Sequence, residues 1–149
     1  MNEKNISIGQ KVGENTSSKP FNPLTLKSFN LNPDEARLLL NIALMAVGGN
    51  RFRSAAKILA VLEKFRPNHP SVAVAKTVAL MSAGEFEAAV AYVEGEALRK
   101  FPDSAMLRAF LGMALVRLGR MNEAKPVLLS AAESKDAAAA KMAGDLLKS

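Results

Sequence analysis

The 149-residue chain has no cysteine, no tryptophan, a single tyrosine and a single histidine. Without thiols, disulfides and thiolate chemistry are excluded. The single tyrosine and missing tryptophan argue against platforms on which bases could stack, and the net charge of +6 is dispersed, with four of the 20 basic residues and two of the 14 acidic ones in the first 33 positions. Nucleic-acid binding needs basic residues gathered on one face with a reading motif among them, so no nucleic-acid partner is expected. There is no apolar run long enough to cross a bilayer. The N-terminus, MNEKNISIGQKVGENTSSKP, has no apolar stretch behind a basic start, so it is not expected to act as a secretory signal. These absences predict a soluble cytoplasmic protein without membrane insertion. β-rich alternating runs are missing as well, which points to an all-α fold.

What the chain does have is an apolar fraction of 49%, enough to build the core of one domain. Its organisation changes near Asn32. Residues 1–32 form the expected disordered tail: the first twenty are too polar to bury, and a denser apolar set, Phe21, Leu24, Leu26, Phe29 and Leu31, occupies 21–31. Residues 33–149 form the expected helical repeat domain. Its start is marked by NPDEARLLL, in which Asn32 can cap, Pro33 suits the first helical position, and Asp34 and Glu35 meet the positive end of the helix dipole. Turn signals then divide the chain into seven helices, expected near Pro33–Gly48, Phe52–Arg66, Ser71–Ala83, Phe86–Phe101, Ser104–Leu118, Asn122–Glu133 and Asp136–Leu147.

Three markers recur through these helices with one period. Phe52, Phe86 and Met121, each just after a hairpin turn, are 34 and 35 residues apart; Ala55, Ala89 and Ala124 repeat that spacing, and Pro67 and Pro102 are 35 apart. Each small alanine suits a close crossing of two helices, each large residue fills space under a turn, and each proline stops a second helix. The second unit carries one extra residue: Ala89 to Pro102 is 13, against 12 from Ala55 to Pro67. The surplus falls near Glu94-Gly95-Glu96, so a bulge or kink is expected there.

A period of about 34 residues built from two antiparallel helices resembles the tetratricopeptide family. The third unit fits its pattern best, through Leu111, Gly112, Leu115, Gly119, Met121, Ala124, Leu128 and Ala131. The first unit departs from it, with Leu39, Ile42 and Ala43 where the family often has Trp, Leu and Gly. The resemblance implies a right-handed superhelix of three helix hairpins plus a C-terminal capping helix, with the first helix of each hairpin lining a concave groove.

Carried over position by position, the groove residues are Arg37, Leu40, Leu44 and Val47, then Ser71, Val74, Val78 and Met81, then Met106, Ala109, Met113 and Val116. All but Arg37 and Ser71 are apolar. The subfamily that grips a C-terminal carboxylate needs Lys, Arg and Asn at such places; here Leu40, Leu44, Val74, Val78, Ala109 and Met113 occupy them, so that activity is not expected. An apolar groove with methionines suits an amphipathic helix. Three alternatives stand beside an open groove: filling by the 21–31 segment, burial in a homodimer, and plain core.

Nothing in the sequence assembles a catalyst, and neither an enzyme nor a bound cofactor or metal is expected. The lone histidine, His69, lies in a turn, and Glu85, Glu87, Glu94 and Glu96 fit solvated helix faces. Size, repeat number and groove character resemble the small tetratricopeptide chaperones of bacterial type III secretion. That resemblance implies a cytoplasmic protein that sequesters an export substrate's amphipathic helix, with a second small co-chaperone as a further partner. The other function left open is a structural adaptor bridging components of a larger complex.

Overall fold

Asn32 begins the first helix by a reciprocal exchange. Its side chain accepts from the Glu35 amide at 2.9 Å, while the Glu35 carboxylate accepts from the Asn32 amide at 3.0 Å. This capping box satisfies two amides that helix geometry would otherwise leave without partners. From there the computed structural model is helical throughout; it describes residues 31–149, so the expectations for residues 1–30 lie outside the described residues. The helices are α1 (Pro33–Gly48), α2 (Phe52–Phe65), α3 (Pro70–Ser82), the composite α4 (Phe86–Tyr92, Val93–Ala97 and Leu98–Lys100), α5 (Ala105–Arg117), α6 (Met121–Ala132) and α7 (Ala137–Lys148). Each boundary lies within one residue of the sequence expectation. Among the described residues there is no strand.

The first two helices of each hairpin are joined by the same device. Asn50, Gly84 and Gly119 have φ of 57°, 81° and 74°, a left-handed conformation natural for glycine and tolerated by asparagine. The residue after each then donates back across the turn: Arg51 to the Ala46 carbonyl at 2.8 Å, Glu85 to Leu80 at 2.9 Å and Arg120 to Leu115 at 2.9 Å. These bonds satisfy carbonyls at the ends of α1, α3 and α5 in the Schellman manner. Every unit therefore reverses direction with the same geometry.

Inside each hairpin the crossing point is lined by small residues. Ala43, Thr77 and Gly112 on the first helices and Ala55, Ala89 and Ala124 on the second are all buried. Thr77 stays satisfied by donating its hydroxyl to the Ala73 carbonyl at 2.9 Å. At Gly112 the approach is closest, because a Cβ there would collide with the Leu128 side chain. Gly112 is thus the residue that lets α5 and α6 meet.

The second helix of the middle unit absorbs its surplus residue where the unequal spacing predicts. Val93–Ala97 forms a π turn, closed by the Leu98 amide donating to the Val93 carbonyl five residues back. A π turn of this kind widens one loop of helix and leaves the helix on either side intact.

Among the described residues the buried apolar side chains form two clusters. Leu59 and Leu62 anchor the first, between α1, α2 and α3, and Leu107, Leu115 and Leu128 anchor the second, around α5. Each such leucine contributes about 1.5–3 kcal/mol by leaving water. Leu31 joins the first cluster, and its carbonyl accepts from Arg66 Nη2 at 2.7 Å, tying the start of α1 to the end of α2. One expectation is corrected here. Phe52 and Phe86 are half-buried, but Met121 is 50% exposed. Phe52 is flanked by Ala83 and Glu85 of the following turn and Phe86 by Phe110 and Arg117 of the following helix; among the described residues no later hairpin turn covers Met121.

Candidate functional site

Because the two helices of every hairpin are antiparallel, α1, α3 and α5 run side by side in one direction, and one face of each contributes to a shared groove. Its central depression, about 510 Å³, is lined by Leu40 and Leu44 from α1, Val74 and Val78 from α3, and Met106 from α5, with Ser71, Ser104 and Asp136 along the edge. A second depression of about 300 Å³ continues from Val78 over Met81, Phe110 and Met113 to Arg117. A third, also about 300 Å³, shares Leu40 and Ser71 with the first and is flanked by Arg37, Arg66 and His69. The three together form a path across the hairpins, apolar in the middle and basic at both ends.

Most of the residues expected from the repeat meet here. Leu40, Leu44, Val74, Val78, Met81, Met106 and Met113 all line the groove. Leu44 is 40% exposed, and the others are half-buried, so this surface is not core. Three assignments need correction. Val47 is buried where α1 closes on α2 at the hairpin turn, Ala109 is fully enclosed in the larger core because a single methyl does not extend beyond the packed helix surface, and Val116 packs against that core outside the depressions. Phe110 and Arg117, each one residue further on, line the groove instead. Repeat spacing carried over at i, i+3, i+7 and i+10 missed them; the bulk of Phe110 beside the small Ala109 is the signal that would have found it.

The opposite side of α3 holds a separate feature. Val74, Val78 and Met81 face the groove, while Lys76, Leu80 and Ala83, each two residues on and so about 200° around the helix, line a cleft of about 260 Å³ against Phe52, Ala56 and Ala60 of α2. At its edge Lys76 pairs with Glu63 at 3.0 Å and lies 4.2 Å above the Tyr92 ring, whose hydroxyl donates to Glu63 at 3.5 Å. Burial first, and then the adjacent Glu63 charge, pushes the Tyr92 hydroxyl well above the ordinary phenol range. No sequence pattern announces this cluster, since its members lie on three different helices.

Residues 80–146 match the tetratricopeptide repeat family. They span the last turn of α3 through most of α7, and the spacing of Phe52 and Ala55 repeats the markers of the later units in α2. A solved structure of a MamA mutant superposes with a TM-score of 0.54 at 24% identity, covering 68% of this chain and 73% of that one. At that identity the likeness establishes the fold: three tetratricopeptide-like hairpins and a capping helix. No curated protein matches the chain. Stacked helical hairpins of this kind leave extended surfaces along the array. Among the described residues no group of three or more His, Asp or Glu is placed to hold a metal ion, and no helix is long and apolar enough to cross a membrane.

Proposed function

We propose that the chain is a protein-binding module that holds an amphipathic helix of its partner in the groove, acting as a chaperone that keeps an assembly-prone helix from polymerising before export. The observation that carries this reading is the juxtaposition of Leu40, Leu44, Val74, Val78 and Met106 in one depression across three helices. Apolar side chains left partly in water over several helices favour a partner with an apolar face. Helix-in-groove recognition supplies the mode, with anchors at helical spacing meeting the leucine, valine and methionine surface. The type III secretion-like assignment, the cytoplasmic location and the second small co-chaperone belong to this proposal.

The test is the double variant Val78→Asp/Met113→Asp. It places carboxylates where an apolar helix face must dock, and burying an unpaired charge costs several kcal/mol, enough to abolish micromolar binding. The variant is expected to keep its helical spectrum while losing a partner co-purified from the native cell, whereas Leu38→Asp, outside the groove, retains it. If the double variant unfolds, the single rim variant Leu44→Asp replaces it. Undiminished partner binding by a folded variant would place recognition elsewhere.

A second reading, a structural adaptor, is favoured by the cleft lined by Ala56, Ala60 and Leu80 on the other side of α3. Two independent surfaces could bridge two proteins. An adaptor would co-purify with a finished assembly, while a chaperone leaves its substrate at export.

A further inference from the structure

The charges on this domain are segregated. From Ala36 to Ser134 all acidic residues lie on the second helices or in turns; α1 after its first turn, α3 and α5 carry none. The basic residues of those helices are of two kinds. Lys76 is turned away from the groove to Glu63 and Tyr92, and Arg108 donates to the Pro102 carbonyl. Arg37 and Arg117, by contrast, line the groove at its two ends. Arg37 is exposed, and the guanidinium of Arg117 is stationed 5.4 Å above the Phe86 ring at the mouth of its depression. Arg66 and His69 stand beside Arg37. Among the described residues the one carboxylate lining the groove, Asp136, already accepts from the Ala138 and Ala139 amides at the start of α7. Among the described residues the groove thus pairs an apolar floor with cationic ends, and no carboxylate other than Asp136 lines its three depressions.

We infer that the occupant is an amphipathic helix of about four turns with acidic residues at both ends. This rests on the groove-binding reading above and specifies the partner. Arg37 lies early in α1 and Arg117 at the end of α5. With neighbouring helices about 8–10 Å apart, Arg117 eleven residues beyond the position equivalent to Arg37, and a rise of 1.5 Å per residue, the diagonal between them is roughly 23–26 Å, or about sixteen residues of helix. A carboxylate at each end meets an arginine, and Arg offers a planar fork matched to carboxylate. An occupant flanked by lysines would meet like charge at both ends, which costs binding and selects against it.

The experiment uses the full chain and three labelled sixteen-residue peptides sharing one leucine stripe, with acidic, neutral or basic flanks, titrated by fluorescence anisotropy at low and high salt. The acidic-flanked peptide is expected to bind at least tenfold more tightly than the basic-flanked one, with the gap closing as salt rises. The double variant Arg37→Glu/Arg117→Glu should invert the ranking without changing the helical spectrum. Equal binding of all three peptides that is lost in Val78→Asp/Met113→Asp overturns the charge inference while leaving the groove reading in place. Equal binding that survives the Asp variant, or binding by none of the three, overturns both.

Discussion

α1 and α5 occupy equivalent places in their hairpins, yet they live in different surroundings. Among the described residues, α5 buries seven residues, from Ala105 to Leu115, and touches α3, α4, α6 and α7, whereas α1 buries only Ala43 and Val47 and touches α2 and α3. On α1, Leu38 and Met45 are 60% and 76% exposed. The repeat writes similar letters into both helices. Position in the stack decides what those letters are worth, because in a solenoid each unit is stabilised by its neighbours as well as by itself.

Truncating a leucine on each helix gives the widest expected contrast. Leu115→Ala, at a site with no exposure, should cost about 2–5 kcal/mol through lost burial and the cavity left behind. Leu38→Ala, on the exposed side of α1, should stay within about 0.5 kcal/mol. Urea denaturation measures both, and similar losses would erase the distinction between the helices.

A methyl group sharpens the same comparison at the helix crossings. α1 accommodates Ala43 opposite the leucine-bearing α2, whereas α5 uses Gly112 against Leu128. Gly112→Ala should destabilise by about 1–3 kcal/mol through overpacking, despite the better helix propensity of alanine. Adding Leu128→Val should recover part of the loss. If Gly112→Ala alone raises the melting temperature, the α5–α6 contact is looser than described.

The smallest effect belongs to the seam between the first two hairpins, at Tyr92. Its folded state holds the phenolic proton more tightly than the unfolded chain does, so the associated stability is complete below the ordinary phenol value near 10 and is lost as the pH rises beyond it. Between pH 9 and 11 the parent should lose slightly more stability than Tyr92→Phe. Parallel slopes for the two proteins would dismiss the effect.

Much of this architecture was legible from single residues. Asn32-Pro33 marks the entry to α1, and Gly84 and Gly119 mark the left-handed turns, because few residue types satisfy such backbone demands. The unequal spacing around Gly95 disclosed the π turn for the same reason: an insertion in a periodic chain has to go somewhere. The groove was legible as a face but less so as a list. Ala109 and Phe110 are adjacent, and which of them reaches the surface depends on side-chain length and on the packing of α3 against α5, neither of which the period specifies. The cluster of Glu63, Lys76 and Tyr92 was invisible, since it exists only after three helices are assembled.

The π turn at Val93–Ala97 behaves like a point defect in a crystal rather than a dislocation. An added residue inserted into a plain α-helix would rotate everything after it by about 100° and throw the next hairpin out of phase. Here the disturbance is confined to one widened loop, and beyond it the lattice resumes: Gly119 turns as Gly84 does, and Ala124 is buried as Ala89 is. An array able to localise its errors in this way can gain or lose a residue in one unit without renegotiating the packing of the rest.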